Sequence, residues 1–413
     1  MKNLIFLTMS RETAKISSSG IYPDLLRKFR DEGFNIYIVM PHERSLGKQT
    51  ELIEDDGVKI LGVKTMNLQK SSSIEKGVGQ ILVERQYKRA ILKYLNDVKF
   101  DLILYSTPPI TFPKVIACLK KQNPKAMTYL LLKDIFPQNA VDLGMMTTTG
   151  LKGLLYKFFR NKEKKLYSLS DYIGCMSPAN VEYVLKHNPE ISRERIEVAP
   201  NSVELMPELS PSDERAKRST ERGYMRYKYL LPKDKPVFIY GGNLGKPQGI
   251  PFLIECLEAN SQREDCHFLV IGTGTELPRL LQWYESKRPA NVTVMKGLPK
   301  AEYDELVRSC DVGLIFLDHR FTIPNYPSRL LSYLENKMPV LCATDPNTDM
   351  GRIAEENGYG YWCESNNVEA FNAILGKMIH ADRKVMGEKG YQFLKENYLV
   401  EHTYRAIIKH LQP

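Results

Sequence analysis

The sequence has no CxxC pair among its seven cysteines and no HxxxH or HExxH pair among its seven histidines. The first absence argues against a disulfide frame or a zinc site, and the second against a metal hydrolase. Cys118, Cys175, Cys256, Cys266, Cys310, Cys342 and Cys363 fall singly, several inside apolar strand-like runs. That is the pattern of reduced, buried thiols. No apolar run approaches the ~18 residues of a membrane span, so a cytoplasmic or peripheral location is expected. Met1 to Met9 has a lysine and a short apolar stretch, but no A-x-A-like cleavage site follows, so it reads as a first strand and not as a signal peptide. A Walker A sequence is missing, no period of 20–50 residues repeats in the second half, and no RNP, KH or helix-turn-helix pattern accompanies the basic residues. P-loop, solenoid and common nucleic-acid-binding architectures are thereby disfavoured.

What is present is enough for two domains: 413 residues, 43% apolar and 26% charged, a globular composition. The formal net charge of +9 favours anionic partners without naming one. Short apolar runs at Leu4–Leu7, Ile36–Val39, Leu102–Tyr105, Thr128–Leu132 and Tyr172–Cys175 alternate with helical-period segments, the pattern of a parallel sheet covered by helices. A polar stretch between Met206 and Pro236 interrupts it, carrying Ser210-Pro211-Ser212 and the basic residues Lys217, Arg218, Arg222, Arg226 and Lys228. A new series then begins at Val237–Tyr240, His267–Ile271, Val292–Met295, Val312–Phe316 and Val340–Cys342. The expected architecture is α/β, with two Rossmann-like domains facing across a cleft: 1–205, a linker at 206–235, and 236–393. Ligands of such sheets bind beyond the carboxyl ends of the strands, so the informative residues follow strands.

Three such places stand out in the second half. Val237 to Ile250 (VFIYGGNLGKPQGI) runs from a strand into a glycine-rich loop and then a helix, where Gly241 and Gly242 would let a diphosphate approach the backbone; a plain βα turn is the alternative. Gly272-Thr273-Gly274-Thr275-Glu276 ends the next strand. It fails as a dinucleotide fingerprint because Leu277 replaces the third glycine. In the third, Ser328 is expected to cap a helix, and Arg329 in its first turn opposes the helix dipole unless an anion sits there. An exposed first-turn arginine is the competing reading. In the first half, Ser17-Ser18-Ser19-Gly20, Tyr105 to Pro109 and Leu132 to Gln138 each follow a strand. Asp134 is the best-placed carboxylate for proton abstraction, and equally a helix cap. Residues 151–167 (LKGLLYKFFRNKEKKLY) interleave six basic side chains with aromatic and aliphatic ones, which suits an anionic membrane surface or a core helix with a basic outer face.

Taken in order along nearly the whole chain, Ser106-Thr107-Pro108-Pro109, Asp134-Ile135-Phe136-Pro137, Pro200-Asn201-Ser202-Val203, the Gly241 loop, Gly272 to Glu276, Pro327-Ser328-Arg329 and Asp345 to Gly360 resemble family 4 glycosyltransferases of the GT-B type. The nearest likeness is to bacterial surface-polysaccharide enzymes that transfer N-acetylated amino sugars, N-acetylfucosamine transferases among them. The resemblance implies a retaining, metal-independent hexosyltransferase with no cofactor, acting in capsule or O-antigen biosynthesis on the inner face of the cell membrane. Its donor would be a UDP-sugar held by Gly241, Gly242, Asn243, Gln248, Gly272, Gly274, Glu276, Leu298, Asn325, Ser328, Ser332 and Glu335. Its acceptor, a polyprenyl-diphosphate-linked saccharide, would meet Ser19, Gly20, Ser106, Pro108 and Lys133. Asp134, Lys246 and Arg329 would carry catalysis. The resemblance also implies that a C-terminal helix, 394–413, completes the first domain. Two departures are visible. Asn243 and Gln248 stand where many relatives have arginine and lysine, and Ser332 stands where relatives place a ribose-binding glutamate, with Glu335 nearly one turn later. A UDP-sugar epimerase of the same architecture is the alternative enzyme, and a nucleic-acid or membrane binder the non-catalytic one. No nucleic-acid partner is expected.

Overall fold

The computed structural model describes residues 1–67, 73–205 and 221–411, which divide into two compact units: Met1–Glu204 with Tyr398–Pro413, and Leu205–Asn397. Lys217, Arg218 and Ser210 to Ser212 lie outside the described residues.

In the first unit the strands are β1 (Asn3–Leu7), β2 (Asn35–Glu43), β3 (Glu51–Asp55), β4 (Val58–Thr65), β5 (Leu102–Ser106), β6 (Met127–Leu132), β7 (Tyr172–Cys175) and β8 (Ile196–Val198). Their order is β3-β4-β2-β1-β5-β6-β7-β8, parallel apart from the β3/β4 hairpin. Asp56 and Gly57 take positive φ (49° and 74°) in that hairpin's two-residue turn, as a primed turn requires. β3 is an edge strand with mostly exposed, acid-rich residues, a composition that discourages further strand pairing. The central strands are buried throughout, and their side chains pack against the helix Ile21–Asp31 in one core. Strand order reverses between β1 and β5, so the loops after these two strands, 8–20 and 107–112, flank the crevice where such sheets bind ligands.

In the second unit, β9 (Val237–Asn243), β10 (His267–Thr273), β11 (Val292–Lys296), β12 (Val312–Phe316), β13 (Val340–Thr344) and β14 (Gly360–Glu364) form a wholly parallel sheet ordered β11-β10-β9-β12-β13-β14. Counted within the unit, this is the 3-2-1-4-5-6 order of the doubly wound nucleotide-binding fold. Here the order reverses between β9 and β12, which places the glycine-rich loop at the switch point.

Two boundaries differ from the sequence expectation. The chain returns to the first unit at Tyr398, four residues beyond Leu394, which stays buried in the helix Arg383–Asn397 of the second unit. Val203 and Leu399 form a parallel bridge at the return, and Thr403 Oγ1 donates to Pro200 O at 3.1 Å. The expected linker is not a free tether where it is described. Residues 221–228 are helical and belong to the second unit, because the buried Arg226 donates to Ser309 O (2.9 Å), Pro232 O (2.7 Å) and Asp311 (2.6 Å), while Arg222 shares the same carboxylate. Those arginines are structural cations paired inside the protein.

Candidate functional site

The loop after β9 is built around glycine. Gly242 adopts φ +115°, a region β-carbons disfavour. Neighbouring positions are closed to a side chain by contact: a Cβ on Gly241 would lie 2.0 Å from Tyr303 Oη, and one on Gly272 would lie 1.8 Å from Gly242 O. The loops after β9 and β10 are also tied to each other. Leu244 N donates to Thr273 O and Glu276 N donates to Leu244 O, both at 2.9 Å. Thus Gly241, Gly242, Asn243, Gly272, Gly274 and Glu276 come together at one sheet edge, as the sequence predicted. Gln248 joins them by bracing the loop, its Oε1 accepting from Asn243 Nδ2 (3.0 Å) and Gly245 N (3.1 Å).

Most of the loop's amides are already used inside the protein. Gly241 N donates to the Tyr333 hydroxyl at 3.3 Å, so this amide does not face a ligand and the expectation that it would stabilise a diphosphate is corrected. The positive group at this edge is instead Arg329. Its guanidinium carbon stands 4.3 Å from the Tyr240 ring centre, and a Cβ on Gly242 would be 3.8 Å from its Nη2. Nη1 is buried with no hydrogen-bond acceptor among the described residues. A guanidinium nitrogen in that state can take an acceptor from a ligand or from water. Burial works against the charge, but the hydroxyls of Tyr240, Tyr333 and Tyr303 outweigh it, and the net shift of the arginine's pKa is upward.

The helix Arg329–Glu335 that carries this arginine buries Leu330, Leu331, Tyr333 and Leu334. Tyr333 reaches the sheet, donating to Ile239 O at 3.2 Å, which fixes the helix against β9. Ser328 occupies the N-cap position, but its side chain makes no capping hydrogen bond and is exposed, contrary to the sequence expectation. Ser332 and Glu335 are half-buried on this helix, and Ser332 O accepts from Asn336 Nδ2 at 2.7 Å. Lys246 is exposed in the short turn Lys246–Gln248, whose Pro247 O accepts from Asp318 N at 3.0 Å beyond the end of β12. Leu298 is half-buried just after β11. The backbone oxygen of Asn325 accepts from Thr348 Oγ1 at 2.7 Å, tying the loop before Arg329 to the one after β13.

In the first unit, Thr107 organises the end of β5. Its Oγ1 accepts from the backbone N–H of Lys133 (3.0 Å) and Asp134 (3.2 Å). Asp134 is not a helix cap: Asn139 Nδ2 donates to both of its carboxylate oxygens, at 2.8 and 3.1 Å. Burial pushes the Asp134 carboxyl up to about 6, against the hydrogen bonds from Asn139 and the Ile135 backbone. Burial also brings the Lys133 ammonium down to about 7, partly countered by the nearby Cys175 thiol. Lys133 Nζ donates to Ala199 O at 3.0 Å. Ser106 is buried beside this cluster and Pro108 is exposed. Gly20 belongs to another network, in which its N donates to Asp24 Oδ1 (2.9 Å) and Asp24 also receives Arg27, and Ser19 before it is exposed.

Tyr240, Tyr303, Tyr333, Thr107 and Asn139 escaped the sequence reading. Thr107 and Tyr240 were legible only as parts of runs that end in a loop. The others come from helices that approach the strand ends through folding, with no local signal. Among the described residues no group of acidic, histidine and cysteine side chains is arranged to hold a metal ion, and no helix is long and apolar enough to cross a membrane.

Residues 222–393 match the family described as Glycosyl transferases group 1. WbjE of Pseudomonas aeruginosa, named a probable glycosyltransferase, is 21% identical over 408 residues, spanning 95% of this chain and 94% of that protein. Among solved structures, the sucrose-phosphate synthase of Thermosynechococcus elongatus aligns with TM-score 0.74 at 12% identity, covering 99% and 98% of the two chains. HepE of Anabaena, solved in complex with UDP-glucose, aligns with TM-score 0.68 at 12% identity over 100% and 99%. The fold is therefore that of the two-domain GT-B glycosyltransferases, and the match to the group 1 family lies in the second unit.

Proposed function

We propose that this protein is a glycosyltransferase that moves a sugar, with retention of anomeric configuration, from a UDP-sugar to a polyprenyl-diphosphate-linked saccharide. The observation that carries the donor assignment is Arg329, whose buried Nη1 lacks an acceptor among the described residues beside the Gly242 turn at the switch point of the sheet. A diphosphate supplies that acceptor. The likeness to HepE, solved with UDP-glucose, supports uridine diphosphate as the carrier.

As the anomeric bond breaks, the leaving diphosphate gains negative charge. Arg329 and Lys246 stabilise that charge electrostatically, which is the largest single contribution such a site offers, and no metal ion has a part in the scheme. The acceptor hydroxyl attacks on the face that the leaving group vacates. Its proton passes to the departing phosphate or to Asp134, which Asn139 holds oriented and burial makes a better base than an exposed aspartate. An N-acetylated amino sugar or deoxyamino sugar is the proposed cargo. A role in surface polysaccharide assembly is proposed with it. The helix Gly150–Leu169 exposes Leu154, Leu155 and Phe158 among its basic residues, a face suited to the anionic inner surface of the cell membrane.

Thermal unfolding with uridine diphosphate, its sugars, other nucleoside diphosphates and nicotinamide dinucleotides tests the reading. A ligand at 100 times its dissociation constant adds ~2.7 kcal/mol to stability. A selective response to uridine diphosphate is expected; a response to dinucleotides alone would overturn the assignment. Incubating a UDP-sugar without any acceptor separates transfer from epimerisation, because only an epimerase changes the sugar under those conditions.

A further inference from the structure

The first unit has a cavity of about 340 Å³, lined by Pro113, Lys114, Ala117, Phe158, Asn161, Lys162 and Lys165. It lies between the helix Pro113–Gln122, which leads away from the end of β5, and the helix Gly150–Leu169. Its volume falls in the range of small-molecule sites. The exposed Ala117 and the half-exposed Phe158 make part of its lining apolar, while three lysines supply its charge.

The charges are unequal in how they are held. Glu84 is buried, with one carboxylate oxygen taking Lys114 N (2.6 Å) and the other 3.1 Å from Lys162 Nζ. The ammonium groups of Lys114 and Lys165 have no acidic partner among the described residues, and both side chains are exposed. Behind this lining the aromatic contacts run into the buried interior, where Phe159 is 6% exposed. Phe158 packs on Phe159 (5.2 Å between ring centres), and Phe159 on Phe136 (5.1 Å), two residues after Asp134. Leu154 and Leu155 extend the apolar surface along the same helix and are 62% and 50% exposed.

We infer that this cavity is a binding site for the proximal isoprenoid units and phosphate of a lipid-linked acceptor. The apolar lining takes the chain and Lys114 and Lys165 take the phosphate charge, at the start of the helix that follows the loop 107–112, whose Thr107 holds the Lys133 and Asp134 backbone. A free sugar would find few hydrogen-bond partners on such a lining, and a free phosphate would leave it unfilled. The inference rests on the acceptor class proposed above and specifies where its lipid end binds.

Calorimetric titration with farnesyl monophosphate tests it, alongside inorganic phosphate and vesicles containing phosphatidylglycerol. Wild-type protein is expected to bind farnesyl monophosphate saturably at one site and inorganic phosphate without saturation. Ala117→Trp, which fills the cavity, and Lys114→Glu with Lys165→Glu are each expected to weaken farnesyl binding at least tenfold. Each variant's far-ultraviolet circular dichroism and melting profile, beside those of wild type, report whether the first unit is folded. Absence of saturable farnesyl binding, or binding that both variants leave unchanged, overturns the inference. Vesicle binding that persists in Ala117→Trp together with no farnesyl binding also overturns it and leaves only attraction to the membrane surface. In each of these cases a preserved response to uridine diphosphate keeps the donor reading standing, so the two failures are distinguishable.

Discussion

The guanidinium of Arg329 lies 4.3 Å from the centre of the Tyr240 ring, face on, with its Nη2 beside Gly242. Tyr240 is buried and directly precedes the two glycines of β9, and its own hydroxyl donates to Asn243 O at 2.9 Å. A charge that opposes the dipole of its own helix is thus seated on an aromatic face at the switch point of the sheet.

Replacing this arginine should affect chemistry far more than folding. Arg329→Ala is expected to lower turnover about a hundredfold, the magnitude for removing one charge-stabilising donor, and to abolish the stabilisation by uridine diphosphate. Arg329→Lys keeps the charge but loses the planar stack, so an intermediate rate is expected. Steady-state rates and thermal melts with the nucleotide check both, and activity of the alanine variant within threefold of wild type would exclude the role.

Two glycine-to-alanine changes should act in opposite directions. Gly272 meets Gly242 O at 1.8 Å from its would-be Cβ, so Gly272→Ala forces the β9 and β10 loops apart. A loss of about 1–3 kcal/mol and of the nucleotide response is expected. Gly376, inside the helix Val368–His380, has nothing within 4 Å of that position. Gly376→Ala should stabilise by roughly 0.5–1 kcal/mol. Denaturant titrations of the two variants beside wild type decide the matter.

Stability should depend on pH through the pair at the end of β6. Lys133 titrates near 7 when folded, against an ordinary value of 10.5, so between pH 7 and 10.5 the unfolded chain holds more protons and stability rises with pH. Asp134 titrates near 6 against 3.8, so between those values the folded state holds more protons and stability falls as pH rises. Lys133→Met should remove the rise and Asp134→Asn the fall, as read from melting temperatures at pH 4, 6, 7 and 9.5. If Asp134 accepts the proton in the reaction, kcat/KM should decline below about pH 6, and Asp134→Asn should abolish that limb.

The order of strands and loops that makes two α/β units was legible in the apolar runs, because strands buried on both faces leave continuous apolar segments. Strands β3 and β8 were not, since their half-polar or very short segments have no such run, nor was β14, of which only Gly360 and Cys363 are buried. β4, though mostly buried, was missed with its hairpin partner. The glycines at the ends of β9 and β10 and the charge of Arg329 could likewise be read along the chain: close backbone approach restricts a position to glycine whatever surrounds it.

Which of those groups face a ligand was decided by tertiary structure alone. The Gly241 amide is taken by Tyr333 and Gln248 braces the loop, while Arg222 and Arg226 are consumed by Asp311. Sequence determines which residues can donate, accept or carry charge. Only the packing of the 329–335 helix on β9, and of Asn139 against Asp134, decides which of those capacities are already satisfied within the protein and which remain for a substrate.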